Sequence, residues 1–165
     1  MPGLAHRSSF ALCLLLSLAV VSLAACSAGR TQNGLIRRIN PPTAGLDGLS
    51  LQPGAVRVMV RLQNFSTIPM RYGQLDATVR IDGRDAGQLR FVADIEVPGL
   101  SSDTVPAELS VDAATRARLD AAAATGRPFD YALAGHIETL EPDDRFEFTF
   151  DSRLSPVPGR SGEFR

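Results

Sequence analysis

The sequence predicts an all-β fold in which antiparallel sheets pack on one another, with one short α-helix late in the chain. Two observations predict it. Through most of residues 42–154, apolar and polar side chains alternate with a period of two, the mark of strands with one buried and one wetted face. The alternating runs are short and bounded by Gly, Pro and Ser turn signals, and a single alanine-rich segment interrupts them.

The elements follow in order. Val56, Val58, Val60 and Leu62 point one way, with Arg57, Met59, Arg61 and Gln63 between them. Leu75, Ala77, Val79 and Ile81 repeat the pattern against Asp76, Thr78, Arg80 and Asp82, and Asp82-Gly83 is a hairpin turn signal. A strand is expected over 87–97 and another over 105–111, separated by Pro98-Gly99 and Ser101-Ser102. Residues 112–124 then predict a helix. Asp112 suits the N-cap, Gly126 the left-handed position after the last turn, and Pro128 forbids continuation. Leu119 is its only large apolar residue, so the helix is expected to close one end of the fold rather than form a layer. Phe129, Tyr131, Leu133 and Ile137 alternate next, and Phe146, Phe148 and Phe150 complete the set as core rather than as a ladder for stacking ligands.

Ahead of the domain, His6 and Arg7 precede a run over 10–25 that is apolar save for Ser17 and Ser22. A short basic start, an apolar stretch and small residues before a cut site mark a secretory signal. The run is shorter than the ~20 residues a membrane-spanning helix needs, and it gives way to Ser27-Ala28-Gly29-Arg30. Leu23-Ala24-Ala25-Cys26 resembles the lipobox of bacterial lipoproteins. That resemblance implies cleavage before Cys26, diacylglycerol on its thiol and a further acyl chain such as palmitate on the new amino terminus. Several chains together anchor a protein stably, where one holds it only marginally. Ser27 stands where an inner-membrane retention signal would have Asp, which favours the periplasmic face of the outer membrane. The expected organisation is a signal peptide over 1–25, a lipidated tether over 26–41, one domain over 42–154 and a disordered tail over 155–165. The pair Arg37 and Arg38 reads as part of a solvated linker.

Composition excludes several classes. The two cysteines are Cys13, lost with the signal, and Cys26, so the mature domain forms no disulfide and offers no thiolate for metal or catalysis. Seventeen basic residues, all arginine, balance 18 acidic ones, and the formal net charge of −1 gives no basic excess for a nucleic-acid partner.

The domain resembles the type 2 late-embryogenesis-abundant family, the water-stress and hypersensitive-response domain. The resemblance rests on the strand 56–63 ending at Asn64, on Ile68-Pro69-Met70-Arg71-Tyr72, on the strand and turn from Leu75 to Gly83, and on Val105-Pro106-Ala107-Glu108-Leu109 before the late helix. The family's Asn-Pro-Asn signature is kept only at Asn64, with Phe65 and Ser66 in place of Pro and Asn. The resemblance implies a fibronectin type III or immunoglobulin-like β-sandwich. It also implies a part in desiccation or other water stress by protecting other proteins, with no catalytic residues to carry over. Asn64, Pro69, Tyr72 and Gly83 are the motif positions with an expected structural role. An Asn side chain can hydrogen-bond the backbone nearby and hold a turn.

Chemistry is sparse elsewhere. His136, the sole histidine after the signal, alternates onto the polar strand face beside Asp130 and Glu138, with no Gly-x-Ser-x-Gly elbow to make it a catalytic base. Glu141, Asp143 and Asp144 crowd a turn, without the regular ligand register of a calcium loop. No enzyme, metal or cofactor is expected. Two functions remain open: a monomeric, membrane-anchored stress-protective lipoprotein working by surface contact, or an envelope module that binds one protein partner through a sheet edge or end loops.

Overall fold

The computed structural model describes residues 36–165. The signal peptide and the lipobox positions Leu23, Ala24, Ala25 and Cys26 lie outside the described residues, as does most of the tether.

Eight strands and one helix follow in order: β1 (Thr43–Gln52), β2 (Ala55–Asn64), β3 (Met70–Ile81), β4 (Arg84–Val97), β5 (Ser101–Val111), α1 (Ala113–Thr125), β6 (Phe129–Glu141), β7 (Asp143–Leu154) and β8 (Glu163–Phe164). All pairings are antiparallel, in the order β7-β6-β3-β4-β5-β2-β1-β8. The fold is therefore mostly β, with one late helix. The predicted faces hold in β2, where Val56, Val58, Val60 and Leu62 are buried while Arg57, Met59 and Arg61 are exposed. In β3, Leu75, Ala77, Val79 and Ile81 are buried likewise. Of the three phenylalanines of β7, Phe148 is buried, and Phe146 and Phe150 pack half-buried against the core.

Alternation predicts separate sheets, and the structure instead has one curled sheet. The join is β5, which pairs with β2 from Ser101 to Glu108 and then with β4 over Leu109–Val111. Gly87 makes that switch feasible. A Cβ there would stand 1.9 Å from the Ser110 carbonyl oxygen, so only glycine lets the two backbones approach this closely. At the far side the curl brings β6 and β7 onto β1. The Tyr131 hydroxyl accepts from Leu46 N at 2.9 Å and donates to Leu46 O at 3.0 Å. Phe150 covers Gly45 so closely that a Cβ there would lie 2.7 Å from the ring.

The helix forms as its caps predict. Asp112 accepts from Thr115 N at 2.7 Å, and hydrogen bonding from Thr115 holds its carboxyl below the usual range. Gly126 adopts the left-handed conformation at φ 64°, and Arg127 N closes back on Ala122 O at 2.9 Å. Leu119, Ala122 and Thr115 are its buried residues. Arg116 ties α1 to the β1–β2 turn by donating to Gln52 O and Ala55 O.

Three expectations are corrected. The tail over 155–165 is ordered: Ser155 and Arg165 exchange backbone hydrogen bonds, Leu51 N donates to Gly162 O, and β8 pairs with Leu49 and Ser50 of β1. Phe164 is only 2% exposed and meets Phe129 in a tilted pair with ring centroids 4.9 Å apart. Pro158-Gly159 and Ser161-Gly162 make the turns that return the chain, and Phe164 supplies the anchor. Second, β1 is a strand that alternation leaves unmarked, because Gly45, Gly48 and a register shift between Leu46 and Gly48 interrupt its pattern. Third, Ser101 and Ser102 begin β5 rather than a turn, paired with Asn64 and Gln63.

Candidate interaction surface

The strand directions collect the lead-in segment and the loops β2–β3, β4–β5 and β6–β7 at one end of the sheet. The β1–β2 and β3–β4 turns and α1 lie at the other. Asn64, the last residue of β2, organises the first end. It is 1% exposed, and both ends of its amide are used. Its Nδ2 donates to the carbonyls of Ile68 at 2.9 Å, Val97 at 3.0 Å and Pro98 at 3.1 Å. Its Oδ1 accepts from Ser66 N at 2.8 Å, an Asx turn across two residues. Ser66, fully buried, carries the network on: its Oγ accepts from Asn40 N at 2.9 Å and donates to Asn40 O. Arg38 and Thr67 exchange hydrogen bonds alongside. Residues 38–40, assigned to the tether by sequence, are thus fixed to the β2–β3 loop.

On this frame stand exposed apolar side chains: Ile39, Phe65, Leu100 and Leu140. Leu100 is the most telling. It is 64% exposed and has φ 56°, a left-handed conformation that costs a residue with a Cβ roughly 1–2 kcal/mol. Glycine or asparagine would suit the position better, and a polar residue would suit the water. Its backbone is held there by Leu100 N donating to Ser66 O at 2.8 Å. A strained, exposed leucine breaks two local rules at once, and such conflicts gather at functional sites. Beside it, Ile68, Pro69, Leu140 and Pro142 line an open groove of about 540 Å³, edged by Arg37, Glu96, Glu141 and Asp143.

The other singled-out residues fall elsewhere. Tyr72 is buried in β3, its Oη has no partner, and desolvation pushes its ionisation upward. Asp82 and Gly83 both have positive φ, 48° and 73°, and form the β3–β4 hairpin turn. His136 is half-buried on the outer face of β6. Its neighbours on that face are engaged: Asp130 with Arg153 at 2.7 Å, which holds the Asp130 carboxyl below its usual range, and Glu138 with Arg145. Among the described residues, no three His, Cys, Asp or Glu side chains stand close enough to hold a metal ion. No helix among them is long and apolar enough to cross a membrane. Sequence reasoning found Asn64 but missed Leu100, whose signal is its backbone conformation.

Neither a protein-family model nor a curated protein matches the chain. Among solved structures the chain is similar to the Arabidopsis thaliana protein AT1g01470, determined in solution. The two share 10% identity and a TM-score of 0.48, over 80% of this chain and 92% of that one. A crystallised Archaeoglobus fulgidus protein matches at 13% identity and a TM-score of 0.38, over 73% of this chain and 98% of the other. The Northeast Structural Genomics Consortium target SoR45 matches at 8% identity and 0.37, over 74% and 87%.

Proposed function

We propose that this chain is a non-enzymatic, lipid-anchored envelope protein that protects other macromolecules under water stress by surface contact, through the loop end that carries Leu100. The observation that carries the contact surface is Leu100 itself, an exposed apolar side chain in a strained backbone, at the same end of the sheet as exposed Phe65 and Ile39. The lipobox-like Leu23-Ala24-Ala25-Cys26 supports the anchor, and the motif resemblance at Asn64, Pro69, Tyr72 and Gly83 supports the stress role. The approach of β6 and β7 to β1, through Tyr131 and Phe150, supports reading the curled sheet as a variant of the fibronectin type III or immunoglobulin-like sandwich.

The second reading is a module for one envelope protein partner. Edge pairing is the weaker form of it. β7 forms a sheet edge and carries Arg145, Glu147, Asp151 and Arg153, charges of the kind that discourage a further strand from adding. The same loop end would then be the docking site.

The test has two parts. Palmitate labelling and membrane fractionation of wild type and Cys26→Ser check the anchor: an unlabelled wild type, or a variant that still sediments with membrane, overturns it. Drying the protein with an unrelated enzyme, against an equal mass of albumin, checks protection. The wild type is expected to preserve more enzyme activity than albumin, and Phe65→Ser with Leu100→Gly to lose that advantage. Protection no better than albumin, with cross-linking in cells giving one stoichiometric partner, replaces the protective reading by the docking module.

A further inference from the structure

At the end opposite the loop surface, three arginines from three separate elements converge on one cavity of about 270 Å³. Arg84 opens β4 directly after the Asp82-Gly83 turn, Arg118 lies in the middle of α1, and Arg127 sits between the left-handed Gly126 and Pro128. Each backbone is fixed by an element or a cap; Arg118 is further held by Thr115 and Arg127 by Asp82, while the Arg84 side chain is exposed. Leu119 and Phe129, both buried, form an apolar floor.

The charges are incompletely answered. Arg127 pairs with Asp82 at 2.9 Å. Among the described residues, the exposed Arg84 guanidinium has neither an ion pair nor a hydrogen bond, although its backbone pairs with Ile81. Arg118 donates from Nη2 to Thr115 Oγ1 at 2.8 Å, but its Nε is buried with no acceptor. Asp112 is near enough to Arg118 to feel its charge, yet its carboxylate is committed to capping the helix at Thr115 N. Asp82 likewise accepts from Asp130 N. A buried guanidinium N–H without an acceptor is costly, and a structural role alone would be served by an uncharged side chain.

We propose that this cavity is a binding site for a small phosphate-type oxyanion, with Arg84 and Arg118 as its principal donors and Arg127 closing the third side. The planar fork of arginine matches the oxygens of phosphate, and charge-assisted bonds of this kind are the strong ones. The volume falls below the ~300–1,000 Å³ of pockets for drug-sized ligands, so the site suits a phosphate group rather than a large cofactor. The Leu119–Phe129 floor would take a short apolar substituent. Free phosphate and a phospholipid headgroup present the same chemistry, and the test separates them.

The full chain, purified in non-ionic detergent at constant ionic strength, is titrated with inorganic phosphate and, separately, with short-chain phosphatidate in the micelles. Calorimetry and the Arg Nε–H resonances are followed. Saturable binding is expected, with the buried Arg118 Nε–H signal shifting on binding. Arg118→Met and Arg84→Met, which keep the apolar stems, are each expected to weaken binding about tenfold, a factor that corresponds to ~1.4 kcal/mol. Arg57→Met, on the exposed face of β2, should leave affinity unchanged. Binding of both ligands makes free phosphate sufficient, and binding of phosphatidate alone makes the headgroup the source; either supports the site if it is lost in the variants. Absence of binding by both ligands, or equal affinity in wild type, Arg118→Met and Arg84→Met, overturns the proposal.

Discussion

Truncating Phe164 to alanine removes a side chain that is 2% exposed, in a two-residue strand at the edge of the sheet. Cutting a buried phenylalanine back to alanine costs about 3–5 kcal/mol, the sum of lost transfer energy and the cavity left behind. The tilted pair with Phe129, at 4.9 Å, accounts for about 0.5–1.5 kcal/mol of that. The cost should fall near the lower end, because a two-residue edge strand can shift to close part of the cavity. With a urea slope of about 2 kcal/mol per molar for a domain of this size, a loss of ~3 kcal/mol lowers the midpoint by roughly 1.5 M. Equilibrium urea unfolding followed by circular dichroism measures this directly. Arg160→Ala, which removes only the exposed pair with Glu163, is the internal control and should move the midpoint by no more than about 0.5 M. If Phe164→Ala unfolds within about 0.3 M of wild type, the last strand contributes nothing and the tail behaves as composition predicts.

Three further outcomes are expected. Val58→Asp buries an unpaired charge in the core and should abolish cooperative thermal unfolding, while Arg57→Asp, one position away on the exposed face, should change stability by no more than ~0.5 kcal/mol; similar melting curves for the two would mean the strand faces are misassigned. Asn64→Asp sets a carboxylate against the carbonyls of Ile68, Val97 and Pro98, which raises its folded-state pKa above the unfolded ~3.9. The native state then binds the proton more tightly, so the variant should be weakened at neutral pH by about 3 kcal/mol and regain stability as pH falls toward 4. Urea midpoints that run parallel to wild type between pH 7 and 4 would refute this. Tyr72→Phe deletes a buried hydroxyl with no partner and should raise stability by about 1 kcal/mol, a few degrees in Tm by calorimetry; a loss of that size would show that the hydroxyl is satisfied.

Much of the fold was legible because antiparallel strands with one wetted face write their burial into the sequence. Val56 to Leu62 and Leu75 to Ile81 alternate with period two, and the Asp82-Gly83 turn and the caps Asp112 and Gly126 are chosen by local backbone chemistry. Asn64 was legible as a turn residue for the same local reason. What the sequence could not disclose depends on partners far along the chain. Gly45 and Gly48 look like breakers until Phe150 lies over the first and Tyr131 grips Leu46 between them, more than 80 residues away. The tail looks unstructured until Phe164 meets Phe129, and whether there is one sheet or two is settled where β5 leaves β2 for Gly87 of β4. Leu100 is an ordinary leucine in sequence; its left-handed backbone is found only in the folded loop, where its N–H donates to Ser66. Arg84, Arg118 and Arg127 are unremarkable singly and share a cavity only because α1 folds back over the β3–β4 turn. Periodicity records which face of an element is buried, whereas the choice of what buries it rests on long-range packing and close backbone approach, which only the tertiary structure decides.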